Sequence, residues 1–332
     1  MKEKIECGFD AGWKDWAPGT FKLIRHGASE SPDPILTDHF SPHADGKGMI
    51  ESFSLYEGIE LSFQRYMADQ VRFHHEANNA ILEINYCRRG RMGWRMGSGA
   101  TVYLGAGDLC LHSLASCADS VITLPLGFYE GVAVTVDLQK MGEHCPSILR
   151  EAGFHSQAIH QKFCMAGAPI GIPSNALMDS VFSPLYELPE DLRIPYYKLK
   201  VQEILLRLLA FEPEREKALT PYEAQQTALI KEIRDFLVQH LDQRYTIEDL
   251  AKKYLLNTSS LKTLFKAVYG MPIASYVKEY RMQQAMKLLR DTSDSIATIA
   301  EKVGYESQGK FTKAFKEKVH LLPSEYRKLY CQ

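Results

Sequence analysis

Two stretches near the C-terminal end offer the same chemistry twice. Ser259, Ser260, Lys262, Thr263 and Lys266 stand in the first, and Gln308, Lys310, Lys313 and Lys316 in the second. All are hydrogen-bond donors, and the lysines add positive charge, so the set suits the acceptors that base edges and phosphates present. Wound as helices at about 100° per residue, both stretches separate a polar side from an apolar one. Leu261, Leu264, Phe265 and Val268 form the inward stripe of the first. Phe311, Ala314 and Phe315 form that of the second, with Gly309, Thr312, Lys313 and Lys316 outward. A major groove admits one such helix. For either stretch alone, a solvated face on a helical bundle competes with this reading; recurrence in tandem favours nucleic acid.

The elements around these stretches repeat as well. Thr246 to Ala251 precedes the first and Ser295 to Ala300 the second. Ala251 and Ala300 are 49 positions apart, while Leu261 and Phe265 map to Phe311 and Phe315 at an offset of 50. A repeated two-helix unit is more informative than any single motif. Thr246 and Ser295 are suited to N-caps. Ile247, Leu250 and Ala251 share one helix face, as do Ile296, Ile299 and Ala300, and the small Ala in each lets a second helix cross closely. Turns fall at Leu255–Asn257 and Gly304–Glu306, where Gly304 suits a left-handed residue. Between the units, the 19 residues from Pro272 to Arg290 contain no breaker. At 1.5 Å rise they make a helix about 28 Å long, close to the roughly 34 Å between successive major grooves on one face of DNA.

The charge distribution agrees. The chain of 332 residues carries 39 Lys+Arg against 41 Asp+Glu, a formal net charge of −2, which as a total speaks against nucleic acid. Residues 221–332 hold 18 basic and 13 acidic side chains, net +5, and from Ala251 onward the balance is 15 to 7, net +8. Residues 1–220 carry −7, so the basic end is the helical one. At about 150 residues per domain the length suggests two domains. A composition of 45% hydrophobic and 24% charged residues argues against disorder. No apolar run approaches the roughly 20 residues of a membrane-spanning helix, and the polar Met1–Lys4 start gives no secretory signal. Seven cysteines (Cys7, Cys87, Cys110, Cys117, Cys145, Cys164, Cys331) form no C-x-x-C pair. That suits reduced thiols in a cytoplasmic protein better than a disulfide frame or zinc site.

The N-terminal half reads differently. Residues 1–50 look irregular, with Trp13 and Trp16 as anchors. From Glu51 to Leu138 short β-rich runs alternate with turns, among them Ile81–Cys87, Met92–Met96, Thr101–Leu104 and Val132–Leu138, as in an antiparallel sandwich or barrel. In the last run Val132, Val134, Val136 and Leu138 share a face. Helices are expected at Asn175–Phe182 and at Pro195–Phe211, the latter with a stripe of Leu199, Ile204, Leu205, Leu208 and Leu209 that packs under the sheet or pairs with a second copy of the chain. The charged, proline-containing segment from Glu212 to Pro221 reads as a linker. His74, His75, Glu76, Glu83 and His112 raise a metal site, but adjacent histidines on one strand point to opposite faces, so no metal ligand and no cofactor are assigned. Arg88, Arg89, Arg91 and Arg95 cluster at a hairpin, as an anion grip or a solvated turn. Tyr86, Arg88, Trp94, Tyr103 and His112 are the candidate effector contacts; the aromatic ones line a pocket or simply fill the barrel.

At its C-terminal end the sequence resembles the AraC/XylS family of bacterial transcription regulators. The resemblance rests on the Ile-x-x-Leu-Ala start, the Leu261-x-x-x-Phe265-Lys266 helix, and Tyr280-Arg281 with Ala285 and Leu288-Leu289. It continues through Ile299-Ala300, Val303-Gly304-Tyr305, Phe311-x-x-x-Phe315-Lys316 and Pro323 to Arg327, about 110 residues in all. A weaker resemblance to the pyochelin-regulator subgroup runs through Leu82–Gly90, Tyr103–Leu109 and Leu124–Gly131. The family resemblance implies base-reading at Ser259, Lys262, Thr263, Gln308, Lys310 and Lys313. Two departures stand out: Gly309 occupies a position that usually helps read DNA, and His320 replaces the usual Gly before the final Pro.

The resemblance implies an α+β chain of two domains. An N-terminal cupin-like antiparallel β-barrel with flanking helices (1–190) would sense an effector or dimerise. A helix and linker (191–220) would lead to a C-terminal all-α domain (221–332) with two helix-turn-helix units joined by a long linker helix. The implied function is that of a sequence-specific, effector-controlled transcription activator rather than an enzyme. Its implied partners are double-stranded promoter DNA, RNA polymerase, a small-molecule effector and a second copy of the chain, with no membrane. The competing reading is a cupin metalloenzyme with an appended DNA-binding module.

Overall fold

The computed structural model describes residues 16–26, 39–41, 46–74, 76–95, 99–116, 120–165, 169–212 and 219–330. The chain divides into two compact units, one of Asp15–Ala224 and one containing Gln225–Gln332.

The first unit is built on strands β1 (Phe21–His26), β2 (His39–Ser41), β3 (Lys47–Tyr56), β4 (Ile59–Met67), β5 (Gln70–His74), β6 (Ile81–Arg95), β7 (Thr101–Gly105), β8 (Leu109–Ser113), β9 (Val121–Thr123), β10 (Phe128–Asp137) and β11 (Ile170–Ile172). Helices α1 (Leu138–Glu143), α2 (Ser147–Glu151), α3 (Ser156–Phe163), α4 (Ala176–Phe182) and α5 (Arg193–Ala210) follow or flank them. The strands form a single sheet in the order β1-β3-β4-β10-β6-β9-β5-β2, with β7 and β8 also on β6 and β11 on β8. Strand β6 makes the sheet curl: residues 81–86 pair with β10 and β8, and residues 91–95 with β7, its 93–94 end also with β9. Gly90 takes the bend at φ 83°, where a Cβ would lie 2.3 Å from the Phe128 carbonyl oxygen. Only glycine allows that approach.

Because strand side chains alternate, the sheet carries two cores. Val132, Val134 and Val136 join Leu82, Ile84 and Tyr86 under the helices, against Val201, Ile204, Leu205 and Leu208 of α5. Tyr66, Cys87, Met92, Trp94 and Tyr129 pack with residues of β5, β7 and β9 inside the curl. Part of that inner face is polar. Successive rows across β4, β10, β6 and β8 read Glu60, Thr135, Glu83, His112 and then Ser62, Ala133, Asn85, Cys110, all buried. His112 Nδ1 lies 3.1 Å from the Ser113 carbonyl oxygen, which can only accept, so that nitrogen carries the proton. Nε2 then accepts from the Asn85 amide at 3.0 Å.

Several expectations change here. Residues 1–50, read as irregular, hold β1, β2 and the start of β3. Strand β1 is a parallel edge strand whose residues 22–26 are exposed, so it has no alternation to read. Its parallel pairing also departs from a purely antiparallel barrel. Leu199, assigned to the α5 stripe, is 61% exposed. The buried residues Tyr197, Val201, Ile204, Leu205 and Leu208 keep strict helical spacing, and Leu199 lies off that arc. Cys7, Trp13, His75, Met96, Cys117, Cys331 and most of the linker segment lie outside the described residues.

The second unit is helical: α6 (Ala224–Gln239), α7 (Ile247–Lys253), α8 (Thr258–Tyr269), α9 (Ile273–Asp291), α10 (Ile296–Lys302), α11 (Gln308–Val319) and α12 (Pro323–Tyr330). Thr246 and Asp249 close a reciprocal capping box on α7, and Asn257, Ser295 and Ser307 cap α8, α10 and α11 through their side-chain oxygens. Helices α8 and α11 both end on a left-handed residue, Gly270 at φ 75° and His320 at φ 62°. Among the described residues no helix is long and apolar enough to cross a membrane.

Two stability outcomes follow. His320→Gly relieves a left-handed non-glycine cap that costs about 1 kcal/mol, and a gain of that size raises the melting temperature of the helical unit by about 4–8 °C in calorimetry; a fall would refute the strain. Asn85→Ala removes the donor to His112 inside the sheet and costs about 1–3 kcal/mol. It should appear as a lower urea midpoint at unchanged slope.

Candidate nucleic-acid interface

Helix α8 is seated by Leu261, Leu264, Phe265, Val268 and Tyr269, all buried. Helix α11 is seated by Phe311, Phe315 and Val319. Around these anchors Ser259, Lys262, Thr263 and Lys266 are exposed on the first helix, with Ser260 half-buried. Gln308, Lys310, Lys313 and Lys316 are exposed on the second, while Thr312 and Ala314 are half-buried. A Cβ at Gly309 would meet nothing within 4 Å, so that position is open surface. Each helix thus presents one arc of donors to water. The Ser260 N–H donates to Asn257 Oδ1 at 2.7 Å and the Lys310 N–H to Ser307 Oγ at 3.3 Å. The starts of these helices carry the positive end of the dipole, which favours phosphate.

The two pairs meet through α9. Its Met282, Ala285, Met286 and Leu289 enter the core of α10, α11 and α12, while Tyr276 packs edge-on against Phe265 of α8 at 5.6 Å. One residue of this surface escaped the sequence reading. Glu306 pairs with Lys310 at 2.5 Å and with Arg244 at 3.1 Å, placing an acid among the donors. The i,i+4 spacing of Glu306 and Lys310 was the available signal.

The candidate effector residues do not form one cluster. Trp94 and His112 meet inside the curl, ring centroids 4.2 Å apart and edge to face. Tyr86 lies on the opposite face of the sheet, donating to Asp179 Oδ1 at 2.7 Å and stacked on Phe182 at 4.5 Å. Burial, with the Asp179 carboxylate second, pushes its phenol pKa up, so it stays a donor. Arg88 lies over the Tyr186 ring at 3.9 Å and shares Glu130 with Arg89. Tyr103 sits opposite Gly93 in the register and so faces away from Trp94. For Arg88 and Arg89, the anion-grip expectation is weakened because a buried carboxylate already meets both guanidiniums. Among the described residues no three His, Cys, Asp or Glu side chains converge as metal ligands would. Glu83 approaches His112 at 3.7 Å, whereas Glu76 is exposed.

Comparison with known proteins bears on the helical unit. The family described as a helix-turn-helix domain matches residues 250–329. The Transposon Tn10 TetD protein of Escherichia coli is 35% identical over 102 residues, 31% of this chain and 74% of that protein. The HTH-type transcriptional activator AarP of Providencia stuartii is 31% identical over 102 residues, 31% of this chain and 76% of that protein. The activator RhaR of Mannheimia succiniciproducens is 35% identical over 91 residues, but these are 27% of this chain and only 33% of that protein. With its donor-faced helices and a match that extends over three quarters of AarP, the chain belongs to the AraC/XylS family of helix-turn-helix transcription regulators.

Proposed function

We propose that this chain is a sequence-specific transcription activator that reads promoter DNA with α8 and α11 and is controlled by a small effector in the β-rich unit. The observation that carries the DNA reading is the pair of donor arcs, Ser259, half-buried Ser260, Lys262, Thr263 and Lys266 on one helix and Gln308, Lys310, Lys313 and Lys316 on the other, the rest exposed. Both arcs lie in a segment of net charge +8. Side chains near the start of each helix reach base edges, and those one turn on, such as Lys266 and Lys316, meet phosphate. The names of AarP and RhaR, each an HTH-type transcriptional activator, support activation as the mode; RNA polymerase is proposed as the protein partner that activation requires.

The division into a cupin-like sensor over residues 1–190, a helix and linker over 191–220 and a DNA-binding part over 221–332 is proposed on the same basis. The polar inner face of the curled sheet supports an effector site. Ser62 Oγ, Trp94 Nε1 and Tyr129 OH are buried there without a hydrogen-bond partner among the described residues, and such groups are satisfied in most proteins by protein, water or ligand. Effector binding would shift the balance between DNA-competent and incompetent arrangements of a homodimer.

Fluorescence anisotropy on selected and random duplexes at several salt concentrations tests the DNA reading. Lys313→Ala weakens binding to the selected duplex by about 1–3 kcal/mol and relaxes preference at one base pair. Lys266→Ala weakens both duplexes alike and lowers the salt slope by about one. Equal losses for Lys313→Ala on both duplexes would remove it from base reading.

A further inference from the structure

Residues 240–245, between α6 and α7, run against the turn that joins α10 to α11. Arg281, ninth of the 19 residues of α9, donates through one guanidinium nitrogen to the carbonyl oxygens of Leu241 (2.5 Å) and Gln243 (3.1 Å). Gly304, at φ 77°, closes the contact from the other side. A Cβ there would lie 1.9 Å from the Leu241 oxygen and 2.6 Å from the Arg281 guanidinium. Arg244 reaches Glu306 Oε1 at 3.1 Å, and the other Glu306 oxygen holds Lys310 of α11. The loop that enters the first helix pair is therefore tied to the turn of the second, at the middle of the helix that joins them. Arg281 lies between Tyr276, which meets the first pair, and Ala285, which sits in the core of the second.

The contacts are unequal. Arg244 and Glu306 are more than half exposed, and such a pair holds little by itself. The Arg281 guanidinium is partly buried and one nitrogen at its tip serves both carbonyls, at a reach and in a plane that the shorter lysine side chain, with its compact ammonium, does not match.

The geometry points to a spacing gauge: Arg281 and Gly304 keep α8 and α11 at one offset, so the chain accepts DNA only when its two contacted segments stand at one separation. This rests on the DNA-binding reading above. Arg281 acts as a positioning residue, since a terminal nitrogen of its guanidinium is held by the protein's own backbone. The helix α9 by itself sets a distance, and the clamp adds the rotation, which matters because successive base pairs turn as well as rise.

The test uses the full chain, its Arg281→Lys variant and the surface double variant Arg244→Ala/Glu306→Gln. Each is titrated against a duplex selected by the unaltered chain and against the same duplex with one base pair inserted between the two contacted segments. One base pair shifts them by about 3.4 Å and a tenth of a turn. The unaltered chain is expected to lose about tenfold or more in affinity on insertion, and Arg281→Lys less than about threefold. On a duplex carrying only the second segment, both should bind equally. A merely structural defect would weaken all duplexes together and leave the ratio unchanged. Thermal melting reports folding, and if Arg281→Lys does not fold, the double variant carries the test, with discrimination reduced by about threefold. Folded variants that keep the full spacing ratio overturn the gauge, as does an unaltered chain that tolerates the insertion. An unaltered chain with no sequence preference at all overturns the DNA reading itself.

Discussion

The rotational phase of α8 and α11 rests on three phenylalanine rings. Phe265, Phe311 and Phe315 are fully buried, and full burial of such a side chain is worth about 1.5–3 kcal/mol each. Exposed lysine–carboxylate pairs such as Lys310 with Glu306 are screened by water and contribute little. The core therefore decides which arc of each helix faces water, and the surface charges follow. Every donor on those arcs owes its direction to the rings behind it.

In the β-rich unit the equivalent constraint is the course of β6. A strand of 15 residues that pairs at one end with β10 and β8 and at the other with β7 and β9 forces the sheet to curl. The helix-facing side of that curl is filled with Val, Ile and Leu, while the inner side keeps Glu60, Ser62, Glu83, Asn85 and His112 buried together. Burying so many polar groups is costly unless they are matched. Their concentration on one face, beside the mostly apolar packing of the other, separates the part of the sheet that packs against the helices from the part that faces the inside of the curl.

The helical unit was largely legible because its signals are local. Caps at Thr246, Asn257, Ser295 and Ser307, a period of 3.6 and left-handed turn residues all act within a few positions. The α9 helix matches its sequence reading in length, shifted by one residue. The β-rich unit was less legible. Strand β1 needs β3 beside it to be a strand, and Tyr86 and Trp94 share β6 yet face different cores because a β-bulge leaves Arg88 as an extra residue between them and shifts the alternation by one. Spacing along a chain carries no information about such a bulge.

Composition and periodicity alone determined that a basic, twice-repeated helical end follows an acidic, strand-rich beginning, since side-chain period and charge are properties of consecutive residues. Only the tertiary structure decided that Arg281 serves the backbone of Leu241 and Gln243 instead of solvent or DNA, that Glu306 sits among the donors, and that the candidate effector residues divide between two faces of a sheet. These contacts join residues 38 to 62 positions apart, from Arg281 with Gln243 to Arg244 with Glu306. They exist because packed helices and paired strands bring together groups whose distance in the sequence says nothing about their distance in space.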